Sequence, residues 1–460
     1  MPIDYSIYLF FVKTYGRHIK ETMKLALPIS LGQLGHIMMG VVDSLMVGKI
    51  GSAPLAAASL VNGLFFLILV LGFGMTFAIA PLIAISKGEK NLARCGVILN
   101  HGLFVNSIFS IILMILVFLL SYLIPVLNQP DDVTVLAKSY LQILSLSIIP
   151  FVLFACYRQF LEGLSIPNPP MIIAIAANIL NAFLNWVFIY GNLGFTSMGL
   201  DGAGYATTLT RWVMTVALFF VVIKSSRLKI YNPVPDFRNL DDKLIRKIMS
   251  IGLPSGLQYF LEVAAFSFAT IMVGWLGKIP LAANQIALNL ASISYMVILG
   301  ISFAGTVRVG EEFGARSSEG VRRAGFSAIG FASAIMFTSG VIFILFRGLI
   351  PQLYIKEKEV IEIASGLLII AALFQVSDGL QATGIGVLRG ITDVKVPLYV
   401  SFASYWLLGI PTGYLFGFVL GYGAIGVWIG SFTGLTCLGL FLLFRFNFKT
   451  RKINLSDKLN

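Results

Sequence analysis

The chain has 460 residues, of which 57% are hydrophobic and 12% charged, with a formal net charge of +12. A soluble globular protein carries about 25% charged residues, and a stretch of soluble domains of this length needs long polar segments that are missing here. The excess of Lys and Arg falls between apolar runs rather than in one patch, so a membrane protein is expected and a nucleic-acid partner is not.

Twelve apolar runs are long enough to cross a bilayer, which takes about 20 residues each. They are expected near residues 25–47, 54–86, 95–124, 136–163, 168–191, 201–224, 247–276, 281–309, 321–350, 360–388, 396–417 and 424–446. An all-α polytopic fold follows. Residues 1–24 precede the first run, 225–246 form a polar linker with Pro233 and Pro235, and 447–460 form a basic tail. The start is polar and basic and the first run is too long for a signal-peptide core, so no cleavable signal is expected. Cys95, Cys156 and Cys437 are odd in number and far apart, giving neither a disulfide framework nor a metal spacing.

One set of links holds Lys13, Arg17, Lys20, Lys24, Lys87, Lys90, Arg94, the linker cations, Arg308, Arg316, Arg322, Arg323, Arg389, Lys395 and the tail from Arg445 to Lys458. The alternate links hold far fewer. The positive-inside rule then sets both termini in the cytoplasm, and an even number of spans agrees. The tail is expected to touch lipid headgroups.

The chain repeats itself. "LPISLGQLGHIMMGVVDSLMVGKIGSAPLAAASL" from Leu27 overlays "LPSGLQYFLEVAAFSFATIMVGWLGKIPLAANQI" from Leu253 at a shift of 226 residues. Pro28 meets Pro254, Met46-Val47-Gly48 meets Met272-Val273-Gly274, and Gly74 and Gly88 meet Gly300 and Gly314. Both copies follow links of the same charge bias, so the repeat is parallel: two six-helix halves, residues 25–224 and 247–446, related by an axis along the membrane normal. A substrate path between such halves, opening alternately to each side, is expected.

Three acids lie well inside predicted spans: Asp43 in the first, Glu262 in the seventh and Asp378 in the tenth. An ionised group at mid-bilayer costs about 2.5–3.5 kcal/mol on insertion scales and marks a functional site by default. Counting about 1.5 Å per residue, Glu262 lies about 20 Å from Met249 and Asp378 about 16 Å from Arg389, both near the midplane, while Asp43 lies nearer the outer side. Polar side chains repeat at helical spacing beside them. The candidates are Gln33 with Asp43, Asn178, Asn181 and Asn185 in the fifth span, Gln258 with Glu262, Asn284, Gln285, Asn289 and Tyr295 in the eighth, and Gln375 and Gln381 flanking Asp378. Such oxygens can hold a small hard cation, and a desolvated carboxylate can carry a proton. The competing reading is polar packing between helices. Arg211 is read as structural, and His36 and His101 as hydrogen-bonded rather than metal-ligating.

Neither G-x-x-x-x-G-K-S/T, H-E-x-x-H nor G-x-S-x-G occurs, so no nucleotide hydrolysis and no catalytic residue is expected, nor any resident cofactor.

The doubled "LP…MVG…PLAA" pattern, "VVDSLMVGKIGSAPLAAASL", and the L-x-G with a nearby proline in "FLEGLSIPNPP" and "VLRGITDVKVP" resemble the multidrug and toxic compound extrusion (MATE) family over nearly the whole chain. Within it the NorM-like branch is similar in having an acid in the first helix, a Glu in the seventh and an Asp in the tenth, matched by Asp43, Glu262 and Asp378. That branch's cation site also uses a tyrosine of the eighth helix, matched by Tyr295. The branch that pairs a first-helix Asp with a fifth-helix Asp fits less well, because the fifth span here offers Asn178, Asn181 and Asn185. The resemblance implies an antiporter of a bacterial cytoplasmic membrane, acting as a monomer. It would export amphipathic or cationic drugs in exchange for Na⁺ or H⁺, with Glu262, Asp378 and Tyr295 holding Na⁺ if sodium drives it. A flippase for lipid-linked precursors, on a related fold, is the alternative; it calls for cationic groups inside, where only Arg158 and Arg211 are available.

Overall fold

The structure, a computed structural model, describes residues 5–457, with side chains described for Gly16 and from His18 to Lys452. The side chains of Lys13, Arg17 and Lys458 therefore lie outside the described residues. Every regular element described is helical, as it must be where no water can pair a free backbone N–H or C=O.

In chain order the helices are α1 (Tyr5–Gly48), α2 (Ser52–Thr76), α3 (Ile79–Gly88), α4 (Leu92–Leu120), α5 (Asp131–Ser145), α6 (Ile148–Gly163), α7 (Asn168–Tyr190) and α8 (Gly199–Lys224). After the linker come α9 (Asp242–Trp275), α10 (Lys278–Gly314), α11 (Ser318–Phe346), α12 (Lys358–Gly390), α13 (Lys395–Phe402), α14 (Ile410–Tyr414) and α15 (Gly423–Asp457). Eleven stretches are long and apolar enough to span a bilayer alone, and α5 with α6 forms a twelfth that bends by 40°. The twelve expected runs overlay these one for one. The ends differ: α1 begins well before residue 25, and α15 continues into the expected tail as far as Asp457. At about 1.5 Å per residue, the 35 residues of α15 extend well past a hydrocarbon core about 30 Å thick.

Prolines explain where the helices break. A proline ring lacks an N–H and clashes with the carbonyl four residues back. Pro150 sits early in α6, and the bend falls at Leu146-Ser147, four residues before it. Pro81 sits early in α3, and the α2–α3 break falls at Phe77, again four before. The repeat puts Val307 and Val376 at the matching places of the other half, and there α10 and α12 run unbroken. In the eleventh span Pro411 follows a π-helical stretch, Ala403–Gly409, in which wider i→i+5 pairing replaces the bond the ring removes.

The chain forms two compact units, and their borders cut through α1 and α9. One unit contains Leu31–Lys87 and Asn91–Phe260; the other contains the chain up to Ser30, Gly88–Lys90 and the chain from Leu261. The first part of α1 thus packs with the C-terminal helices, and the first part of α9 with the N-terminal ones. Small residues allow both crossings. In the C-terminal unit Ser30 Oγ donates to the Val297 carbonyl at 3.0 Å, and a Cβ on Gly300 would lie 2.0 Å from that oxygen. In the N-terminal unit a Cβ on Gly74 would lie 2.3 Å from Gly256 Cα. The same 226-residue shift relates Gly74 to Gly300 and Ser30 to Gly256. The repeat has therefore kept a pair of matching backbone contacts. Below the C-terminal crossing, Arg308 of α10 pairs with Glu21 of α1 and with Glu311 at 3.4 Å. The core of this unit gathers Met272, Ala287, Leu367, Leu435, Leu442 and Phe446 from α9, α10, α12 and α15.

Gly74→Val should cost about 1–3 kcal/mol through overpacking, read as a lower melting temperature in detergent. Gly63→Val in the same helix, where a Cβ meets nothing within 4 Å, is the matched control and should change it little.

Candidate functional site

In the C-terminal unit, α9, α10 and α12 carry a buried acid and its donors. Glu262 is 4% exposed. Its Oε1 accepts from the Tyr295 hydroxyl at 2.8 Å, and its Oε2 from Gln381 Nε2 at 3.0 Å. Three helices thus converge on one carboxylate. Gln381 stands one helical turn after Asp378 on α12, and the charges of Asp378 and Glu262 act on each other. Asp378 is buried too, yet no donor reaches its carboxylate among the described residues. The Gln381 Oε1 and the Tyr405 hydroxyl are likewise buried without a hydrogen-bond partner, and Tyr405 lies within electrostatic range of both acids.

This set has more acceptors than donors. One carboxylate is bonded by a phenol and an amide, a second carboxylate and a second phenol lie within electrostatic range of it, and among the described residues no donor reaches the second carboxylate. Among the described residues no three His, Cys, Asp or Glu side chains gather, so amide and phenol oxygens would have to complete a cation's shell. Oxygen-only ligands of that kind suit a hard ion. A proton is served equally: once Glu262 is protonated one oxygen becomes a donor, and the Tyr295 hydroxyl can turn to accept.

The other polar residues expected here divide. Gln375 is buried on α12 and donates to Ser294 at 2.8 Å and Ser339 at 3.3 Å, joining α12 to α10 and α11. Asn284 is buried but looks elsewhere: its Oδ1 accepts from Trp428 Nε1 at 2.7 Å. It borders a crevice shared with Phe266, Thr270, Leu288 and Phe374. Gln285 and Asn289 are exposed and bond each other at 3.2 Å, so they do not join the Glu262 group. Trp406, which the sequence did not single out, donates its Nε1 to the Leu261 carbonyl at 3.2 Å, next to the acid.

The N-terminal unit has its own acid. Asp43, 7% exposed on α1, accepts from Asn185 Nδ2 at 2.5 Å and from Thr207 Oγ1 at 2.9 Å. Asn185 also reaches Asn181 Oδ1 at 3.2 Å, and Asn181 Nδ2 reaches Thr207 Oγ1 at 3.4 Å. The four side chains close a ring across α1, α7 and α8. Thr207 was missed because one threonine among Thr207, Thr208 and Thr210 carries no distinguishing signal. Asn178 stays outside the ring and donates to its own helix at Ala174.

Gln33 belongs to another group. Its Oε1 accepts from Arg158 Nη1 at 3.3 Å, and Arg158 Nε pairs with Glu162 at 2.7 Å. Glu162, 2% exposed, is a buried acid the sequence reading passed over, because it sits at a helix end beside Gly163. Gln258 is buried in the first part of α9. His101, expected to be structural, accepts from the Asp241 backbone N–H at 2.7 Å and ties the linker to α4.

The family model described as MatE matches residues 28–187 and again 254–415, and the two matches begin at the shift that relates the halves. A probable multidrug resistance protein NorM of Mesorhizobium japonicum is 34% identical, covering 94% of each chain. The multidrug resistance protein MdtK of Yersinia pseudotuberculosis is 30% identical, covering 94% of this chain and 96% of its own. The Vibrio cholerae MATE transporter VcmN in its bent form superposes with a TM-score of 0.86 at 19% identity, covering 96% of this chain and 99% of its own. The twelve-span fold, the doubled match and the identity along nearly the whole chain together show that this protein belongs to the MatE family, whose members are transporters and not enzymes.

Proposed function

We propose that the chain is an antiporter that exports amphipathic or cationic organic compounds in exchange for Na⁺ or H⁺, by alternating access of its two six-helix halves. The observation that carries this reading is the Glu262 group. A buried acid is held there by Tyr295 and Gln381, near Asp378, which no donor reaches among the described residues. Charges inside a membrane protein persist where they are used. A small cation or a proton would balance the two carboxylates, and its departure would leave them mutually repelling. An ion drives transport only by binding one conformation better than the other. Glu262 and Asp378 supply that difference wherever α9 and α12 move relative to each other.

The names of the NorM and MdtK relatives support the substrate class. Apolar and aromatic walls such as Ala265, Phe266, Ile410 and Val427 beside Tyr405 offer adaptable contacts for varied compounds. In this account Asp43 and its ring relay or gate protons in the N-terminal half. The bias of Lys and Arg supports both termini in the cytoplasm of a bacterial cell, with the protein in its cytoplasmic membrane as a monomer. The flippase alternative has less support, since one of its two inner arginines, Arg158, is already paired with Glu162.

The test is efflux of a fluorescent organic cation from proteoliposomes under imposed Na⁺ or H⁺ gradients. Wild type should export under one or both. Glu262→Gln and Asp378→Asn should each lose gradient-driven export while remaining folded and membrane-inserted. Undiminished export by Glu262→Gln would contradict the coupling role. Asp43→Asn should slow H⁺-driven export without changing the melting temperature by more than a few degrees, because the amide oxygen can still accept from Asn185 while its NH2 donates to the Thr207 hydroxyl, which can turn to accept. Equal rates would remove Asp43 from the proton path. Asn185→Leu should instead destabilise the protein by about 1–3 kcal/mol, since it strips a donor from a buried carboxylate, with Asn178→Leu as the milder control.

A further inference from the structure

Arg211 sits in the middle of α8, twelve residues after Gly199 and thirteen before Lys224. At about 1.5 Å per residue that is about 18–20 Å from either helix end, too far for the side chain to reach an aqueous surface by snorkelling. It is half-buried, and no carboxylate pairs with it among the described residues. Asp43 acts on it only from a distance, and its oxygens are already engaged by Asn185 and Thr207. A guanidinium has five N–H donors. Arg211 uses one, from Nη1 to Ser147 Oγ at 2.7 Å.

The surroundings hold that guanidinium in place. Its carbon lies 5.5 Å from the centre of the Phe65 ring and 5.1 Å from that of Phe151. Ser147 stands at the bend between α5 and α6, and its hydroxyl donates to the Leu144 carbonyl at 2.6 Å. One turn along α8, Thr215 bonds the Pro150 carbonyl at 2.6 Å and tightens α8 against the bend. His36 of α1 packs edge-on to Phe151 and Phe154, with ring centroids 6.0 and 5.9 Å apart. Phe73 lies against Phe151 at 5.9 Å. A planar cation is thus posed between aromatic rings with donors to spare, midway along a helix long enough to span the membrane. Arg158 is different, since Glu162 already neutralises it.

We propose that Arg211, with Phe151 and His36, is a subsite for a carboxylate carried on an aromatic frame, the buried Phe65 ring backing the guanidinium. The guanidinium fork takes the two oxygens through charge-assisted hydrogen bonds, and the rings take the frame. This deepens the export reading and rests on it for transport: the exported compounds include aromatic acids and zwitterions as well as cations. The N-terminal unit then supplies an anion-recognising group of opposite sign to the carboxylates of the C-terminal unit.

The test is binding to purified wild-type protein in detergent, by calorimetry, with 2-naphthoate and 2-naphthylmethylammonium as matched probes. Wild type should bind 2-naphthoate saturably. Arg211→Gln should weaken it by about tenfold or more, the loss expected for a hydrogen bond to a charged group. Arg211→Lys, which keeps the charge but not the fork, should fall between. The ammonium probe should bind all three proteins alike. Absence of saturable naphthoate binding by the wild type would overturn the proposal whatever the variants do, and so would equal naphthoate affinity in Arg211→Gln. Because binding needs no gradient, these results stand apart from the dye-efflux assay. Failure of that assay alone would count against export and not against the subsite.

Discussion

A carboxylate buried among apolar helices must find donors or give up its charge, and Glu262 accepts from Tyr295 of α10 and Gln381 of α12. Each bond joins a different helix to α9, so the acid is also a tie within the C-terminal unit. Such a tie is conditional. A proton or cation on the carboxylate changes what Tyr295 and Gln381 can do with their hydrogens, and the packing of three helices changes with it. Asp378, unpaired one turn from Gln381, adds a second charge that the same ion would balance. On the proposed function, coupling and structure would be properties of one group of side chains.

The N-terminal unit solves the same problem differently. Asp43 is enclosed by amides and a hydroxyl that bond one another as well as the acid. The two halves share a scaffold down to the crossing contacts at Gly74 and Gly300, while their polar interiors differ. The repeat places His36 where the other half has Glu262, and Ala269 where the first has Asp43. Breaks differ as well, since Pro81 and Pro150 bend the N-terminal half where Val307 and Val376 leave the C-terminal half straight. A bend at Ser147 is what sets Arg211 against Phe151.

Hydropathy alone revealed the twelve spans, because the bilayer sets helix length and a run of 20 apolar residues has few other uses. The repeat was legible from short identities such as Met46-Val47-Gly48. Helix ends were not, since charged residues such as those of α15 continue a helix into water as readily as they end a membrane run. Helical spacing grouped Asn181 with Asn185, which bond each other, and put Gln381 on the face of Asp378, where its amide reaches Glu262 instead. It failed for Asn178, Gln285 and Asn289, because spacing gives a face and not what that face meets. Glu162 and Thr207 went unseen for a related reason: their roles depend on Arg158 and Asp43, and for Thr207 that partner lies on another helix.

The most direct measurement of the central claim uses Trp406, whose indole N–H bonds the Leu261 carbonyl beside Glu262. The fluorescence component lost in Trp406→Phe is followed in purified protein while Na⁺ is titrated at fixed pH and pH is varied without Na⁺. A saturable response to at least one of the two ions, absent in Glu262→Gln, is the predicted result. No response to either ion, or the same response in Glu262→Gln, would contradict the assignment of the driving ion to Glu262.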